Sequence, residues 1–356
     1  MTDTTLTHGG DWAGYELEYG KAPLDFSMNV NPMGMSMHVR YAISKATDKA
    51  YRYPDPLCRK LRKKISECES VPDDWIFCGN GAADIIFRLA QALVPKKVLV
   101  TAPTFSEYET AFQGYGWEIT HHYLKEEDGF RLDASILEEI DGNTNAVFLC
   151  EPNNPTGVTS DRELLVQILQ RCQEMNTMLI VDECFNGFLE KPKEHTMIDY
   201  LADHENLVIL KAFTKLYGMA GVRLGYCLCS NKTLIDVLYA AGAPWNVSLL
   251  AQEAGIAALE DIHHVRRGRE VIKTERPYLV TELHKLGIDP VYGEANYLFF
   301  KSEPDLSEKL RAEGILIRNC NNYNGLDEGW YRIAIRNYKE NQKLIEAMQR
   351  ILGQQP

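Results

Sequence analysis

The chemically most suggestive part of this chain surrounds one lysine. Lys215 stands beside Thr214 and before a glycine-rich turn, and Arg223 follows eight residues later. An apolar run at 207–210 precedes this stretch and predicts a buried strand. Lys215 is therefore expected just past a strand end, where open α/β sheets place their ligands. A lysine amine in such a place is a nucleophile toward carbonyl groups. The alternative is a surface lysine before a turn.

Two further polar groups follow predicted strands upstream of this lysine. Asp182 ends the apolar run at 179–181, and Asn154 lies in an Asn-Asn-Pro-Thr-Gly segment that follows the apolar run at 146–150. Asp182 is thus expected at a strand end, as Lys215 is. Together the three residues, in this order, resemble the fold-type I enzymes that use pyridoxal 5'-phosphate (PLP), the aminotransferase superfamily.

The resemblance implies a role for each of the three residues. Lys215 would form a Schiff base with the cofactor aldehyde, because an amine is the nucleophile that this bond requires. Asp182 would pair with the pyridinium nitrogen and keep it protonated, so that the ring can accept electrons. Asn154 would hydrogen-bond the ring 3'-oxygen. Lys215 and Asp182 are therefore the expected catalytic residues, and PLP is the expected cofactor.

A helix N-terminus is expected to hold the cofactor phosphate. The segment Gly79-Asn80-Gly81-Ala82-Ala83 separates a short strand from an apolar helix. Small residues there expose backbone N–H groups at the positive end of the helix dipole, although a capped helix without a ligand has the same pattern. Ala212 replaces a serine of many relatives, which removes one hydroxyl contact to this phosphate. The cofactor contacts that the resemblance implies are Gly81, Ala82, Ala83, Thr214 and Arg223 at the phosphate, Phe105 stacked on the pyridine ring, Asn154, Asp182, Lys215 and Tyr53.

Motifs at several places narrow the resemblance to one branch. His8-Gly9-Gly10 opens the polar N-terminal segment, and Asp25-Phe26-Ser27-x-Asn29-x-Asn31-Pro32 follows it. Phe185 stands where histidinol-phosphate aminotransferases usually have tyrosine, and Pro244-Trp245 forms a further motif. These features resemble the threonine-phosphate decarboxylases of cobalamin synthesis, which are close relatives of those aminotransferases. The alternatives are a frayed terminus and a neutral aromatic replacement.

Two arginines near the C-terminus are candidates for substrate binding. They lie on strand-like alternations, in Arg318-Asn319-Cys320-x-x-Tyr323 and in Tyr331-Arg332-Ile333. The planar guanidinium makes bidentate contacts to carboxylate and phosphate. The resemblance implies that the two form an anion pocket, whereas ordinary surface salt bridges are the alternative. The substrate-binding residues implied in this way are His8, Asn31, Arg318 and Arg332.

One tyrosine bears on whether the protein forms an oligomer. Tyr53 lies in a Tyr-Arg-Tyr-Pro-Asp-Pro segment, where proline ends a helix. By its residues alone this segment is a turn. The resemblance implies that the tyrosine reaches the cofactor phosphate of the other subunit. It therefore predicts a homodimer whose active sites are completed across the interface.

Length and pattern predict the fold. A chain of 356 residues exceeds one core of usual size. Alternating strands and helices predict a large α/β domain with a mostly parallel sheet flanked by helices. The resemblance adds a smaller α+β C-terminal domain. The two domains together make the fold-type I PLP-dependent transferase fold. The expected boundaries are 1–50 for an N-terminal arm packing on the active site and small domain, 51–244 for the PLP-binding domain and 245–356 for the small domain.

Composition excludes several classes of protein. A formal net charge of -12 argues against a nucleic-acid binder. No apolar run reaches the roughly 20 residues that span a bilayer, and the segment Met1–His8 lacks the basic and apolar regions of a signal peptide. None of the nine cysteines forms a C-x-x-C pair, which predicts no metal site and reduced thiols in a cytoplasmic protein.

The predicted function is PLP-dependent decarboxylation of L-threonine O-3-phosphate to (R)-1-aminopropan-2-yl phosphate, a precursor of the cobalamin side chain. The alternative is a class I/II aminotransferase of the histidinol-phosphate type that uses 2-oxoglutarate. Serine phosphate is a variant substrate, because one methyl group in a pocket discriminates by only about 1–3 kcal/mol. A PLP-binding protein without turnover is a third hypothesis, which the retained lysine and arginines disfavour.

Overall fold

Two β-sheets and a short strand pair organise the structure. The computed structural model describes residues 8–353. The segment examined for a signal peptide, apart from His8, and the last three residues of the predicted small domain therefore lie outside the described residues. The strands in chain order are β1 (Leu24–Asp25), β2 (Ile76–Gly79), β3 (Lys97–Ala102), β4 (Glu118–Tyr123), β5 (Thr144–Cys150), β6 (Met178–Asp182), β7 (Leu207–Ala212), β8 (Gly225–Leu228), β9 (Tyr297–Lys301), β10 (Ile315–Leu316), β11 (Arg318–Asn319) and β12 (Trp330–Ala334).

Helices alternate with these strands through most of the chain. Several begin at a polar side chain that accepts a hydrogen bond from a first-turn N–H, as Asp161, Asn231, Ser248 and Asn337 do. The helices are α1 (Trp12–Tyr19), α2 (Met37–Thr47), α3 (Arg59–Glu69), α4 (Ala82–Ala92), α5 (Glu107–Gly114), α6 (Ile136–Glu139), α7 (Arg162–Glu174), α8 (Phe213–Leu216), α9 (Lys232–Ala240), α10 (Leu249–Glu260), α11 (Ile262–Lys285), α12 (Leu306–Ala312) and α13 (Tyr338–Leu352).

The large sheet has seven strands in the order β2-β8-β7-β6-β5-β3-β4. Strand β8 runs antiparallel to both its neighbours, and the pairings from β7 to β4 are all parallel. Consecutive residues of β5 alternate between two cores, with Val147 in one and Phe148 in the other. Because both faces are covered, the central strands β5, β6 and β7 consist largely of apolar residues, whereas the edge strand β4 is mostly polar. The predicted α/β class with a mostly parallel sheet is confirmed.

The register of the central strands determines where the polar loops lie. Cys150, the last residue of β5, pairs with Asp182, the last residue of β6, and Asp182 pairs with Leu210 of β7. The three strands are parallel, so their carboxyl ends lie side by side. The segments that follow them therefore meet at one edge of the sheet, which is where such folds bind ligands.

A second sheet is built from the C-terminal part of the chain. Strands β11, β12 and β9 form it in that order, with both pairings antiparallel. It has its own core, in which Ile333 packs with Leu279 of α11 and Leu344 of α13. Strand β1 pairs with β10 in parallel, and Phe26 belongs to the same core. This pairing joins the N-terminal segment to the C-terminal part, while the domain boundaries at 50 and 244 remain a prediction.

Two candidate features are absent from residues 8–353. No helix in this part of the chain is long and apolar enough to cross a membrane. The same residues contain no cluster of three or more histidine, cysteine and acidic side chains that could hold a metal ion.

The close approach of β8 to the start of α4 leads to a first prediction. A Cβ built on Gly225 would lie 2.5 Å from the backbone nitrogen of Ala82 and 2.7 Å from the carbonyl carbon of Gly81. The substitution Gly225→Ala must therefore push strand and helix apart, and we expect it to lower the free energy of unfolding by about 1–3 kcal/mol. Urea denaturation of the cofactor-free protein, followed by circular dichroism, measures this loss.

The matched control is Gly221→Ala in the preceding turn. A Cβ at Gly221 meets no atom within 4 Å, so this variant should unfold at nearly the same urea concentration as the wild type. Equal midpoints for Gly225→Ala and Gly221→Ala would contradict the close contact.

Candidate active site

A cavity of about 340 Å³ opens at the carboxyl ends of β6 and β7. It collects side chains from both ends of the chain and from several loops of the large sheet. Most of the residues that the sequence predicts for the site line it. These are His8, Ala82, Ala83, Phe105, Asn154, Asp182, Thr214, Lys215, Arg223, Arg318 and Arg332.

Lys215 reaches the cavity from the single turn of α8, directly after β7. Phe213 anchors this turn because its side chain is buried in the core. The backbone nitrogen of Asn31 donates to the carbonyl oxygen of Lys215 at 2.9 Å. Burial, and then the positive charge of Arg332, lower the pKa of Lys215 to about 8. The amine is thus partly neutral near pH 8, which is the form that attacks a carbonyl carbon.

Asp182 is held in place by one donor on each carboxylate oxygen. The hydroxyl of Tyr108 donates to Oδ2 at 2.6 Å, and the backbone nitrogen of Cys184 donates to Oδ1 at 2.9 Å. The carboxylate is buried, and these hydrogen bonds offset part of the cost of removing its charge from water. Asp182 therefore presents a fixed negative charge to the cavity.

The N-terminus of α4 borders the cavity, which Ala82 and Ala83 line. Gly81 precedes the helix with a φ of 83°, and among residues 8–353 no side chain caps the first-turn N–H groups. The guanidinium of Arg223 lies against this turn. A Cβ built on Gly81 would be only 2.8 Å from Nη2 of Arg223. Thr214 lines the same cavity. Free N–H groups, a hydroxyl and a guanidinium are a suitable donor set for a phosphate.

Asn154 lines the cavity and contacts one of its arginines. Its Oδ1 accepts a short hydrogen bond from Nη1 of Arg332 and a longer one, at 3.4 Å, from the hydroxyl of Tyr323. With the amide oxygen engaged by these donors, the amide nitrogen is the group that can donate to a ligand oxygen. This orientation matches the role that the resemblance implies for Asn154.

The two arginines of the predicted anion pocket face each other across a strand pair. Arg318 of β11 pairs directly with Arg332 of β12, and their residue exposures are only 8% and 7%. Arg332 donates to the carbonyl oxygen of Ser27 at 3.0 Å, while its Nε is buried without a hydrogen-bond partner among the described residues. Like charges directly opposite each other in a sheet are destabilising. A bound anion would relieve that repulsion.

His8 lies at the mouth of the same cavity. Its Nε2 is 2.5 Å from Oε1 of Glu107, and its ring centroid is 6.0 Å from that of Phe105. The structure therefore brings the N-terminal histidine next to the aromatic residue that was predicted to stack on the cofactor. The first described residue of the chain is part of the cavity wall.

Three predicted residues do not line the cavity. Gly81 lies behind it, against Arg223. The Asn31 amide donates to the carbonyl oxygen of Leu216 at 2.8 Å and accepts from the backbone nitrogen of Met33 at 2.9 Å. The structure thus places Asn31 beneath the lysine turn, because its side chain is used to hold the backbone there.

Tyr53 lies on the surface, and 80% of its area is exposed. Its ring is 4.8 Å from that of Trp245, centroid to centroid. Within one chain the tyrosine therefore cannot contribute to the cavity described above.

Sequence reasoning missed several residues that form the cavity or support it. Tyr108 binds Asp182, Tyr323 binds Asn154, and Glu107 binds His8. Tyr323 stands in the motif of Arg318, and Glu107 and Tyr108 follow Phe105 by two and three positions. The sequence carries no signal for these contacts, because each depends on a helix or loop packing across the sheet edge.

The sequence is similar to known proteins over almost its whole length. The family model described as aminotransferase class I and II matches residues 21–350. The chain belongs to this family. It is 37% identical over 352 residues to the threonine-phosphate decarboxylase of Salmonella typhimurium, covering 97% of this chain and 96% of that protein. It is 31% identical over 334 residues to the histidinol-phosphate aminotransferase of Symbiobacterium thermophilum, covering 92% and 90%.

A solved structure supports the same assignment of class I and II aminotransferase fold. The histidinol-phosphate aminotransferase from Clostridium acetobutylicum superposes with a TM-score of 0.87 at 29% identity, covering 93% of this chain and 99% of that one. The predicted resemblance to fold-type I PLP enzymes is confirmed, and the chain is a PLP-dependent enzyme. Its cavity fits that cofactor, with an uncapped helix N-terminus for the phosphate, Asp182 for the ring nitrogen and a neutralisable Lys215 for the aldehyde.

The lowered pKa of Lys215 leads to a second prediction. In the unfolded chain this pKa returns toward 10.5, whereas in the folded cofactor-free protein it is about 8. Between these values the unfolded state binds more protons, so the contribution of Lys215 to stability rises with pH. We expect the unfolding free energy of the wild type, relative to Lys215→Met, to increase as pH rises through this window. Urea denaturation at several pH values measures it.

The control for this experiment is the exposed Lys339 on α13. The difference between the wild type and Lys339→Met should not change over the same pH range. If the Lys215→Met difference is equally flat, Lys215 titrates as an ordinary exposed lysine and the described environment is wrong.

Proposed function

We propose that this chain catalyses the PLP-dependent decarboxylation of L-threonine O-3-phosphate to (R)-1-aminopropan-2-yl phosphate, a cobalamin side-chain precursor. The observation that carries the proposal is the pair of opposed, buried arginines, Arg318 and Arg332, beside the reactive lysine. This substrate bears two acid groups, a carboxylate and a phosphate. The similarity to a threonine-phosphate decarboxylase at 37% identity supports it.

The substrate-binding residues act by charge and geometry. Arg318 and Arg332 supply two guanidinium groups to the same cavity, and each can bind one acid group through parallel N–H donors. His8 lines the same cavity near Phe105, where it can donate to a phosphate oxygen when protonated. Asn31 supports the lysine turn from below. Two separated anion contacts fix how the substrate is rotated about its Cα.

The reaction then needs an electron acceptor and a proton source. PLP, when bound, supplies the electron sink for the pair left at Cα when carbon dioxide departs. We assign Asp182 to the ring nitrogen, where its fixed negative charge favours the protonated form. Lys215 is the group in the cavity that can hold a proton and return it to Cα, because its pKa of about 8 allows both protonation states.

The alternative outcome is transamination of the histidinol-phosphate type. It requires nearly the same cavity residues and differs in which bond at Cα is broken. Two relatives named above as histidinol-phosphate aminotransferases share 29–31% identity with the chain. The decarboxylase is favoured because the chain is 37% identical to a threonine-phosphate decarboxylase and 31% identical to the histidinol-phosphate aminotransferase of Symbiobacterium thermophilum.

We further propose a cytoplasmic homodimer. Tyr53 and Trp245 form an exposed aromatic pair, and we propose that this tyrosine reaches a neighbouring subunit. In a two-fold dimer the same contact occurs twice. Each active site would then contain Lys215 from one subunit and Tyr53 from the other.

The third prediction tests the reaction itself. The purified protein loaded with PLP is mixed with L-threonine O-3-phosphate in the absence of any keto acid. We expect sustained release of carbon dioxide and the phosphorylated amine over many turnovers, and Lys215→Ala should abolish it because no other amine lines the cavity among the described residues. Absence of release, with glutamate formed from histidinol phosphate and 2-oxoglutarate, would assign the aminotransferase reaction instead.

The arginine pocket is tested in the same assay with a matched pair of variants. Arg318→Gln should raise the KM for threonine phosphate by about tenfold or more, because a charge-assisted hydrogen bond is lost. Arg350→Gln removes an arginine that is paired with Glu313 on the surface and should leave KM unchanged. Equal KM values for both variants would remove Arg318 from the substrate site.

The fourth prediction tests the shared active site. Tyr53→Ala and Lys215→Ala chains are co-expressed, so that mixed dimers form. Each mixed dimer contains one site with both wild-type residues, and with random pairing about a quarter of all sites are intact. We therefore expect decarboxylase activity above the average of the two separate variants. Activity equal to that average would show that Tyr53 does not act across an interface.

A further inference from the structure

One buried tyrosine contacts the cofactor-binding carboxylate and is not used by the mechanism above. Tyr108 of α5 has no exposed surface. Its ring stacks on Phe148 of β5 at 4.6 Å between centroids, with an interplanar angle of 16°. It also meets Phe105 edge-on at 5.6 Å. These two contacts hold the ring in an orientation in which its hydroxyl points at Asp182.

The hydrogen bond between them has a definite direction. Burial, and then the negative charge of Asp182, raise the pKa of Tyr108 well above its ordinary value. The phenol therefore stays protonated and donates to Oδ2 of Asp182 at 2.6 Å. The second oxygen of Asp182 accepts from the backbone nitrogen of Cys184. With a donor on each oxygen, the carboxylate cannot rotate without breaking a hydrogen bond in a buried place.

We propose that Tyr108 is a positioning residue that fixes the Asp182 carboxylate for its contact with the cofactor ring nitrogen. The inference rests on the assignment of Asp182 made under the proposed function. Phe105, which lines the cavity beside it, contacts the Tyr108 ring. Tyr108 thus joins the residue assigned to the ring face to the residue assigned to the ring nitrogen. A packing role alone would need the ring but not the hydroxyl.

The test removes only that hydroxyl. Tyr108→Phe retains the ring between Phe148 and Phe105, while Oδ2 of Asp182 loses its donor. PLP is titrated into cofactor-free protein, and binding is followed by absorbance and by quenching of tryptophan fluorescence. We expect the dissociation constant for PLP to rise about tenfold or more, as for loss of a hydrogen bond to a charged group. The pH titration of the bound-cofactor absorbance band should shift as well.

A control variant and a double variant separate positioning from packing. Phe148→Leu disturbs the ring stack but leaves the hydroxyl. It should lower the unfolding temperature of the cofactor-free protein, while it raises the dissociation constant for PLP by less than Tyr108→Phe does. In an Asp182→Asn background, Tyr108→Phe should weaken PLP binding by much less than it does in the wild type, because the two residues act through one contact.

Two results would overturn the inference. One is PLP binding by Tyr108→Phe as tight as in the wild type, with an unshifted absorbance titration. The other is an additive loss in the Asp182→Asn background. Failure of the proposed function is distinguishable, because the wild type would then bind PLP but release no carbon dioxide from threonine phosphate. In that case the effect of Tyr108→Phe on PLP binding can still be measured.

Discussion

The site depends on keeping several basic groups together around one cavity. Lys215, Arg318 and Arg332 line one cavity, and Arg332 lowers the pKa of Lys215 by its positive charge. The hydrogen bonds that Arg332 makes in the described part of the chain go to neutral acceptors on Asn154 and Ser27. Its charge is therefore balanced only when an anion enters. The arrangement favours a doubly acidic ligand and a partly neutral lysine at the same time.

The fold makes this arrangement possible by bringing its parts from distant places. The parallel register aligns the ends of β5, β6 and β7, which fixes Asp182 and the lysine turn relative to each other. The arginines come from a separate antiparallel sheet with its own core. The N-terminal segment is attached to the C-terminal part of the chain because β1 pairs with β10. Arg332 adds a second link by donating a hydrogen bond to the carbonyl oxygen of Ser27 in the N-terminal segment.

The sequence predicts the cofactor side of the site better than the supporting contacts. Lys215, Asp182 and Asn154 follow apolar strands, and their order along the chain resembles that of fold-type I PLP enzymes, which is what indicated the cofactor. Tyr108 could not be predicted, because its hydroxyl reaches Asp182 only after α5 packs against β5. Asn31 was expected in the substrate pocket, but the structure uses its amide to hold the turn of Leu216. Motif membership alone does not tell a ligand contact from a backbone contact.

Glu151 shows how a buried acidic side chain can support the site without lining the cavity. Burial raises the pKa of Glu151 to about 7. Both its oxygens are bound by Ser160, one by the backbone nitrogen at 2.9 Å and the other by the hydroxyl. The side chain is thus turned away from the cavity and fastens the loop that follows Asn154. Asn154 keeps its own partners, so Glu151 supports the backbone of the loop and leaves the cavity-lining amide unchanged.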